Sequence, residues 1–414
     1  MNRLDPIRES WMRAPETRAV MDALTDAGGD ARFVGGAVRN AMMQRTVVDI
    51  DIATPLKPEE VMRRLRAADI AAIPTGIEHG TVTAVVHGRN FEVTTLRRDV
   101  TTDGRRAIVA FSDDWEEDAA RRDFTINALY ATSEGEVFDF AGGLEDLEAG
   151  RVRFIGDAVA RIREDYLRIL RFFRFHAWYG RGEIEESALH AVASERAGLR
   201  KLSGERLQKE LLRLLEAENP LHVLRTMAAI GILEEIIPEG ARFDRLERLA
   251  GIDAANFFVP DPLLRLGAVV PPDGTLAAAI AGRLKLSNES RERLEDLASA
   301  SENLKPYLSV RDIHKLLYRL GAKRLRDRIL LHWSEDPKES NAVAWRALLA
   351  LADAWTRPLF PLTGRDVMAA GVREGPLVGR ILAEVEQWWV ESDFTDDRFS
   401  LAERLKAVVR ANAS

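Results

Sequence analysis

Near residue 155 the sequence changes character. Before that point short β-type runs alternate with helical ones. After it the β-type runs stop, and helical patterns follow one another, broken by Gly, Pro or Asn at 180–182, 203–204, 219–220, 237–240, 260–262, 271–274 and 357–364. Both halves are accommodated by an α+β fold, in which a small mixed β-sheet head with packed helices precedes a long all-helical neck, body and tail. The head takes residues 1–150, the neck 151–220, and the body and tail 221–414 of the 414-residue chain.

Within the head, Thr17 to Ala27 reads as a helix, Ala31 to Val34 as a short apolar run, and Ala37 to Gln44 as a second helix. Val47 to Ala53 alternates like a strand, and Pro58 opens a helix to about Ala68. Thr81 to Val86 and Asn90 to Leu96 form a predicted hairpin, while Phe124 to Ala131 and Glu136 to Phe140 are further β candidates. Between Arg97 and Asp118 lies a charged stretch containing Gly104, which reads as a mobile loop.

The sharpest motif is Val47-Val48-Asp49-Ile50-Asp51-Ile52. Side chains on a strand alternate faces, so Asp49 and Asp51 are expected on one face, with Val48, Ile50 and Ile52 packed on the other. Paired carboxylates repel unless a cation neutralises them. Mg²⁺ suits such a pair, because it takes one or two carboxylates and completes its shell with phosphate oxygens. Two such ions can serve an in-line displacement at phosphorus. Thirteen positions earlier, Phe33-Val34-Gly35-Gly36-Ala37-Val38-Arg39-Asn40 reads as strand, turn and helix. Gly36 lets the backbone approach a phosphate closely, and Arg39 can clamp the same triphosphate.

The order Gly35-Gly36-Ala37-Val38-Arg39, then Asp49-Ile50-Asp51, resembles the head of class II nucleotidyltransferases. That family holds CCA-adding tRNA nucleotidyltransferases and bacterial poly(A) polymerases within the DNA polymerase beta superfamily. Asn40 stands where the family usually has Asp, which keeps an acceptor oxygen and loses a charge. Gly76 to Thr83, and Phe91-Glu92-Val93-Thr94-Thr95-Leu96-Arg97, extend the resemblance, with Glu92 as a third acidic candidate at the metal site. Arg121-Arg122-Asp123-Phe124-Thr125-Ile126-Asn127 matches a further motif. The resemblance implies that Arg122 meets the triphosphate, with Asp123 and Asn127 supporting ribose or phosphate contacts. A fixed guanidinium there would stabilise charge building on departing pyrophosphate. Gly142 to Leu147 matches as a connection into the helical region.

Glu164-Asp165-Tyr166-Leu167-Arg168 lies in a helical pattern and fits the family's Glu-Asp-x-x-Arg motif. Positions three apart are neighbours on a helix, so Asp165 and Arg168 are expected side by side. An Asp accepts hydrogen bonds and an Arg donates them, which matches the amino donor and ring-nitrogen acceptor of C and A and mismatches G and U. Arg171 continues the ridge, and Arg174 turns partly away as a supporting residue. Leu362 to Leu382 resembles the family's tail as two short helices around a Gly-rich turn, and the basic stretch Lys315 to Arg328 is a candidate RNA contact.

The resemblance implies template-independent addition of C, C and A to the tRNA 3′ end from CTP and ATP, with pyrophosphate release. A poly(A) polymerase or A-adding relative shares the same head, and a non-catalytic RNA-binding protein is a more distant reading. The net charge of −7 does not argue against RNA, since clustering on one face decides binding. The absence of cysteine excludes disulfides and thiolate chemistry. No apolar stretch has membrane-spanning length, and the polar N-terminal residues carry no secretory pattern, so a cytoplasmic location without membrane contact is expected. Nothing in the sequence requires an obligate protein partner.

Overall fold

The computed structural model describes residues 3–103, 106–299 and 304–412, with side chains outside 99–109. The chain divides into two compact units, one comprising 1–238 together with 283–285, the other 239–282 and 286–414.

Among its described residues the first unit has nine strands: β1 (Arg32–Val34), β2 (Ile50–Thr54), β3 (Ala71–Gly76), β4 (Thr81–Val86), β5 (Arg89–Thr95), β6 (Arg97–Asp103), β7 (Arg106–Phe111), β8 (Leu129–Ala131) and β9 (Val137–Asp139). Seven of them make one mixed sheet in the order β3-β4-β5-β2-β1-β8-β9, with β2 and β5 parallel and β1 antiparallel to β2. Alternation sets its faces. Ile50 and Ile52 of β2, and Phe91 and Val93 of β5, are buried, while Asp51 and Glu92 between them point the other way. Phe33 of β1 is fully buried and meets Trp11 edge to face, with centroids 4.8 Å apart.

Three readings are corrected here. The strand begins at Ile50 rather than at Val47, so Asp49 sits just before it, and Val48 is 72% exposed instead of packing with the isoleucines. The stretch from Arg97 to Asp118 is not an open loop. It forms the β6–β7 ribbon and most of a helix, Trp115–Ala120, capped by the Asp114 carboxylate. Gly104 lies outside the described residues. Finally, β3 carried too little apolar alternation to be anticipated, since most of its residues are exposed.

The helix Leu167–Tyr179 is held to the head by aromatic packing. Phe172 stacks on Phe154 at 5.3 Å, and Phe124 packs against both. The amphipathic helix Gly204–Leu215 lies along it, burying Leu207, Leu211, Leu214 and Leu215. Residues 283–285 return to this unit. Arg283 donates to the Ile236 carbonyl at 3.4 Å, and Gly204 lies so near the Arg283 carbonyl oxygen that a Cβ would stand 2.1 Å from it.

The described part of the second unit is helical. One of its cores gathers Val367, Ile381, Val385, Trp389, Leu401 and Leu405. The tail motif forms a short helix, Gly364–Ala369, and a longer one, Pro376–Glu391, rather than two short ones. In the Lys315 to Arg328 stretch, Lys315 pairs with Glu391, Arg324 and Arg328 with Asp296, and Arg326 with Asp353. Those cations are thus largely matched by carboxylates within the unit. Among the described residues no helix is long and apolar enough to cross a membrane.

Candidate active site

A cavity of about 530 Å³ opens between the central strands β1 and β2 and the helix Leu167–Tyr179. Gly35, Gly36, Arg39, Asp49, Asp51 and Arg122 line it, together with Asp123, Asn127, Arg171 and Arg174. Of the twelve residues singled out in the sequence, nine therefore meet in one hollow, drawn from segments more than a hundred positions apart.

The acidic edge is set by register. Asp51 is aligned with Glu92 in the parallel β2–β5 ladder, so both project from the same sheet face. Burial and the charge of Glu92 push the Asp51 carboxyl up to about 6; Asp49 adds to this, while Arg122 and Arg39 oppose it. Asp49 and Asp51 face the cavity together, and Glu92 stands one strand outward. Among the described residues no group of three or more His, Asp or Glu could hold a metal ion unaided. A hard cation would need the two aspartates plus oxygens from a bound phosphate, which is the ligand set Mg²⁺ prefers. Asp49 and Asp51, close enough for their charges to interact, are hard oxygen donors of the kind such a cation takes.

The glycine turn follows from backbone geometry. Gly35 has φ 66° and ψ −121°, a region that L side chains avoid, and it reverses the chain from β1 into the helix Gly36–Met42. Arg39 on that helix is buried. It donates to Asn40 Oδ1 from Nε and Nη2 (3.3 and 3.2 Å), to the Tyr179 hydroxyl (2.9 Å), and to Asn127 Oδ1.

The other guanidiniums are held by carboxylates. Arg122 donates to Asp118 Oδ2 at 2.9 Å and to the Tyr130 hydroxyl at 3.0 Å, and Arg121 takes the second Asp118 oxygen at 2.6 Å. Burial pushes the Asp118 carboxyl up, but Arg122 and Arg121 pull it down further, to about 2. Asp123 accepts from Arg171 at 2.5 and 2.7 Å and from Asn127 Nδ2 at 2.9 Å. Burial again raises its carboxyl, and Arg171 with Asn127 bring it down to about 2. Glu210, on the helix Gly204–Leu215, accepts from Arg174 at 2.5 Å and lies 3.7 Å from Arg171. Asn127 thus joins Arg39 to Asp123, and Arg171 joins Asp123 to Glu210.

The expected Asp165–Arg168 pair is corrected. Helix Ala158–Glu164 ends at Asp165, whose backbone is extended at φ −154°, and the next helix starts at Leu167. The two residues therefore do not share one helical surface. Asp165 instead accepts from Arg206 at 2.7 Å and from the Leu167 N–H at 3.1 Å. Arg168 donates to Glu164 and to the Arg161 carbonyl. Neither lines the cavity. Arg174, read as a supporting residue facing away from Asp165, lines the cavity.

Sequence reasoning missed Asp118, Glu210, Trp178 and Tyr179. Asp118 had a usable signal, since it precedes Arg121 and Arg122 by three and four positions on one helical turn. Glu210 had none, being 36 positions from the arginine it holds.

Residues 31–153 match the family described as the Poly A polymerase head domain, and residues 183–243 the one described as a probable RNA and SrmB-binding site of polymerase A. The chain is 33% identical to mouse CCA tRNA nucleotidyltransferase 1, mitochondrial, over 91% of this chain and 86% of that protein. It is 34% identical to the Streptococcus sanguinis CCA-adding enzyme over 92% of this chain and 94% of that one. Its fold matches the crystal structure of the Bacillus stearothermophilus CCA-adding enzyme in complex with CTP, with a TM-score of 0.75 at 25% identity, over 96% of this chain and 98% of that one.

Proposed function

Since the chain belongs to the CCA-adding enzyme family of nucleotidyltransferases, we propose that it adds C, C and A to the 3′ end of tRNA without a template. CTP and ATP are the nucleotide donors, and pyrophosphate leaves. The observation that carries this reading is the placement of Asp49 and Asp51 in the same cavity as the Gly35-Gly36 turn, Arg39 and Arg122.

Enzymes of this family use a divalent metal, and Mg²⁺ is the ion we assign. Asp49 and Asp51 would hold it, with Glu92 beside Asp51 adding negative potential; bound there, it supplies Lewis-acid stabilisation of phosphate oxygens. The tRNA 3′-hydroxyl oxygen attacks the α-phosphorus of the nucleotide. The bond from the α-phosphorus to the bridging oxygen breaks, its electron pair leaves with pyrophosphate, and the hydroxyl proton passes to solvent as the new phosphodiester forms. Arg39 and Arg122 take the β- and γ-phosphates, where charge accumulates as pyrophosphate departs. Gly36 admits the triphosphate to the backbone, and Asp123 and Asn127 fix the surrounding groups. Arg171 and Arg174, tied to Asp123 and Glu210, form the wall beside the sugar and base.

Asp165 and Arg168 remain our choice for base reading. To do so, Asp165 must release Arg206 and Arg168 must release Glu164, which couples base selection to a rearrangement at the junction of the two neck helices. Enzyme and substrates meet, in this reading, in the cytoplasm.

The test is incubation with tRNA lacking its CCA end and single labelled nucleotides. Stepwise incorporation of two C and one A is expected. Incorporation of A without C would remove the CCA assignment in favour of an A-adding enzyme or a poly(A) polymerase.

A further inference from the structure

Arg39 differs from its neighbours in the cavity in how its charge is held. Arg122, Arg171 and Arg174 each pair with a carboxylate, from Asp118, Asp123 and Glu210. Arg39 is 6% exposed, and its hydrogen bonds run to neutral oxygens, those of Asn40, Asn127 and Tyr179. A buried cation without an anion in contact is costly to maintain. Here the neutral acceptors fix the guanidinium in place while leaving its charge to be matched from the cavity side.

Tyr179 contributes most to that fixing from outside the head. It ends the helix Leu167–Tyr179. Its hydroxyl accepts from Arg39 Nη2 at 2.9 Å and lies 3.2 Å from Asn40 Oδ1, to which it can donate. Its ring centroid is 4.1 Å from the Arg39 guanidinium carbon, and the ring stacks on Phe175 at 5.8 Å. Phe175 is itself pinned against Phe124 at 5.3 Å. The phenol is therefore held by an aromatic column built from the protein's own side chains.

We propose that Tyr179 is a positioning residue for nucleotide binding, presetting Arg39 so that its charge, which no carboxylate contacts, meets the triphosphate. This rests on the assignment of Arg39 to the triphosphate above. It also links the neck to phosphate binding, because the residue that aims a head arginine is carried by a neck helix.

The full-length protein tests this through two variants. Tyr179→Phe keeps the ring and removes the hydroxyl, and Tyr179→Leu removes both. With Tyr179→Phe, the Kd for inorganic pyrophosphate and the KM for CTP and ATP should rise together, by roughly three- to tenfold. The KM for tRNA should stay unchanged, and Tyr179→Leu should show a larger rise. In an Arg39→Ala background, Tyr179→Phe should add nothing further. A purely structural role would lower the melting temperature and the active fraction without this selective shift. The proposal is overturned if pyrophosphate affinity is unaffected by Tyr179→Phe, or if it falls equally with and without Arg39. Failure of the parent protein to add nucleotides to tRNA, with the pyrophosphate shifts as expected, would sink the assigned reaction and leave the positioning role intact.

Discussion

Asp51 and Glu92 are direct partners in a parallel ladder, so two carboxylates occupy adjacent places on one sheet face. Like charges at such positions cost stability. Burial first, and the charge of Glu92 second, make the Asp51 carboxyl harder to ionise than an ordinary aspartate. The fold tolerates the arrangement because Arg39 and Arg122 lie close enough to oppose the repulsion.

Replacing Asp51 with Asn should therefore separate activity from stability. Nucleotide addition should fall by at least about a hundredfold, while the melting temperature without metal should rise, reflecting relief of about 0.5–1 kcal/mol. Mg²⁺ with CTP should stabilise the parent and not the variant. A variant as active as the parent would remove Asp51 from the chemistry.

Glu210 is 5% exposed and receives Arg174, with Arg171 nearby. Glu210→Ala should cost about 3–5 kcal/mol in urea denaturation, because it strands buried guanidinium charge. Adding Arg174→Met should recover part of that loss. A single-variant cost below about 1 kcal/mol would show that water replaces the carboxylate at no great penalty.

Base selection gives a sharper test of the corrected pair. If Asp165 and Arg168 exchange Arg206 and Glu164 for a base, Asp165→Ala and Arg168→Ala should each lower the preference for CTP and ATP over GTP and UTP. The expected loss is tenfold or more, the scale of leaving polar groups unpaired. Unchanged selectivity in both variants would move base reading to side chains that already line the cavity, such as Arg171.

His176 is 6% exposed, and burial, with His222 alongside, lowers its imidazole to about 4. The unfolded chain takes up this proton near pH 6.5, where the folded protein does not. Stability should therefore fall as pH drops from 6.5 towards 4, by on the order of 2–3 kcal/mol, and level off below. His176→Gln should flatten that slope in urea midpoints measured across the range. An equal slope in both proteins would exclude His176 as its source.

How much of this was readable beforehand depended on distance along the chain. Asp49, Asp51, Gly36 and Arg39 were visible because strand alternation and a glycine turn are local properties, each settled within a few residues. Glu92 was visible through the motif Phe91 to Arg97 and its place on a predicted strand. The partners that hold the site in shape were not. Glu210 reaches Arg174 from another helix, and Tyr179 reaches Arg39 from 140 positions away. The misplacement of Asp165 has both a local and a distant cause. Glu164-Asp165-Tyr166-Leu167 contains neither Gly nor Pro, so the pattern reads as continuous helix. The break comes from two separate demands, the Arg206 ion pair and the Leu167 N–H that Asp165 accepts.

The return of residues 283–285 to the first unit bears on any attempt to exchange parts between relatives. The catalytic half is not a contiguous stretch of polypeptide, so a chimera joined at Pro238 would transplant the cavity without the tripeptide that seats against Gly204. A graft that carries this small clasp along with the head and neck is the one the packing favours, and any side chain larger than hydrogen at Gly204 would prevent the clasp from closing.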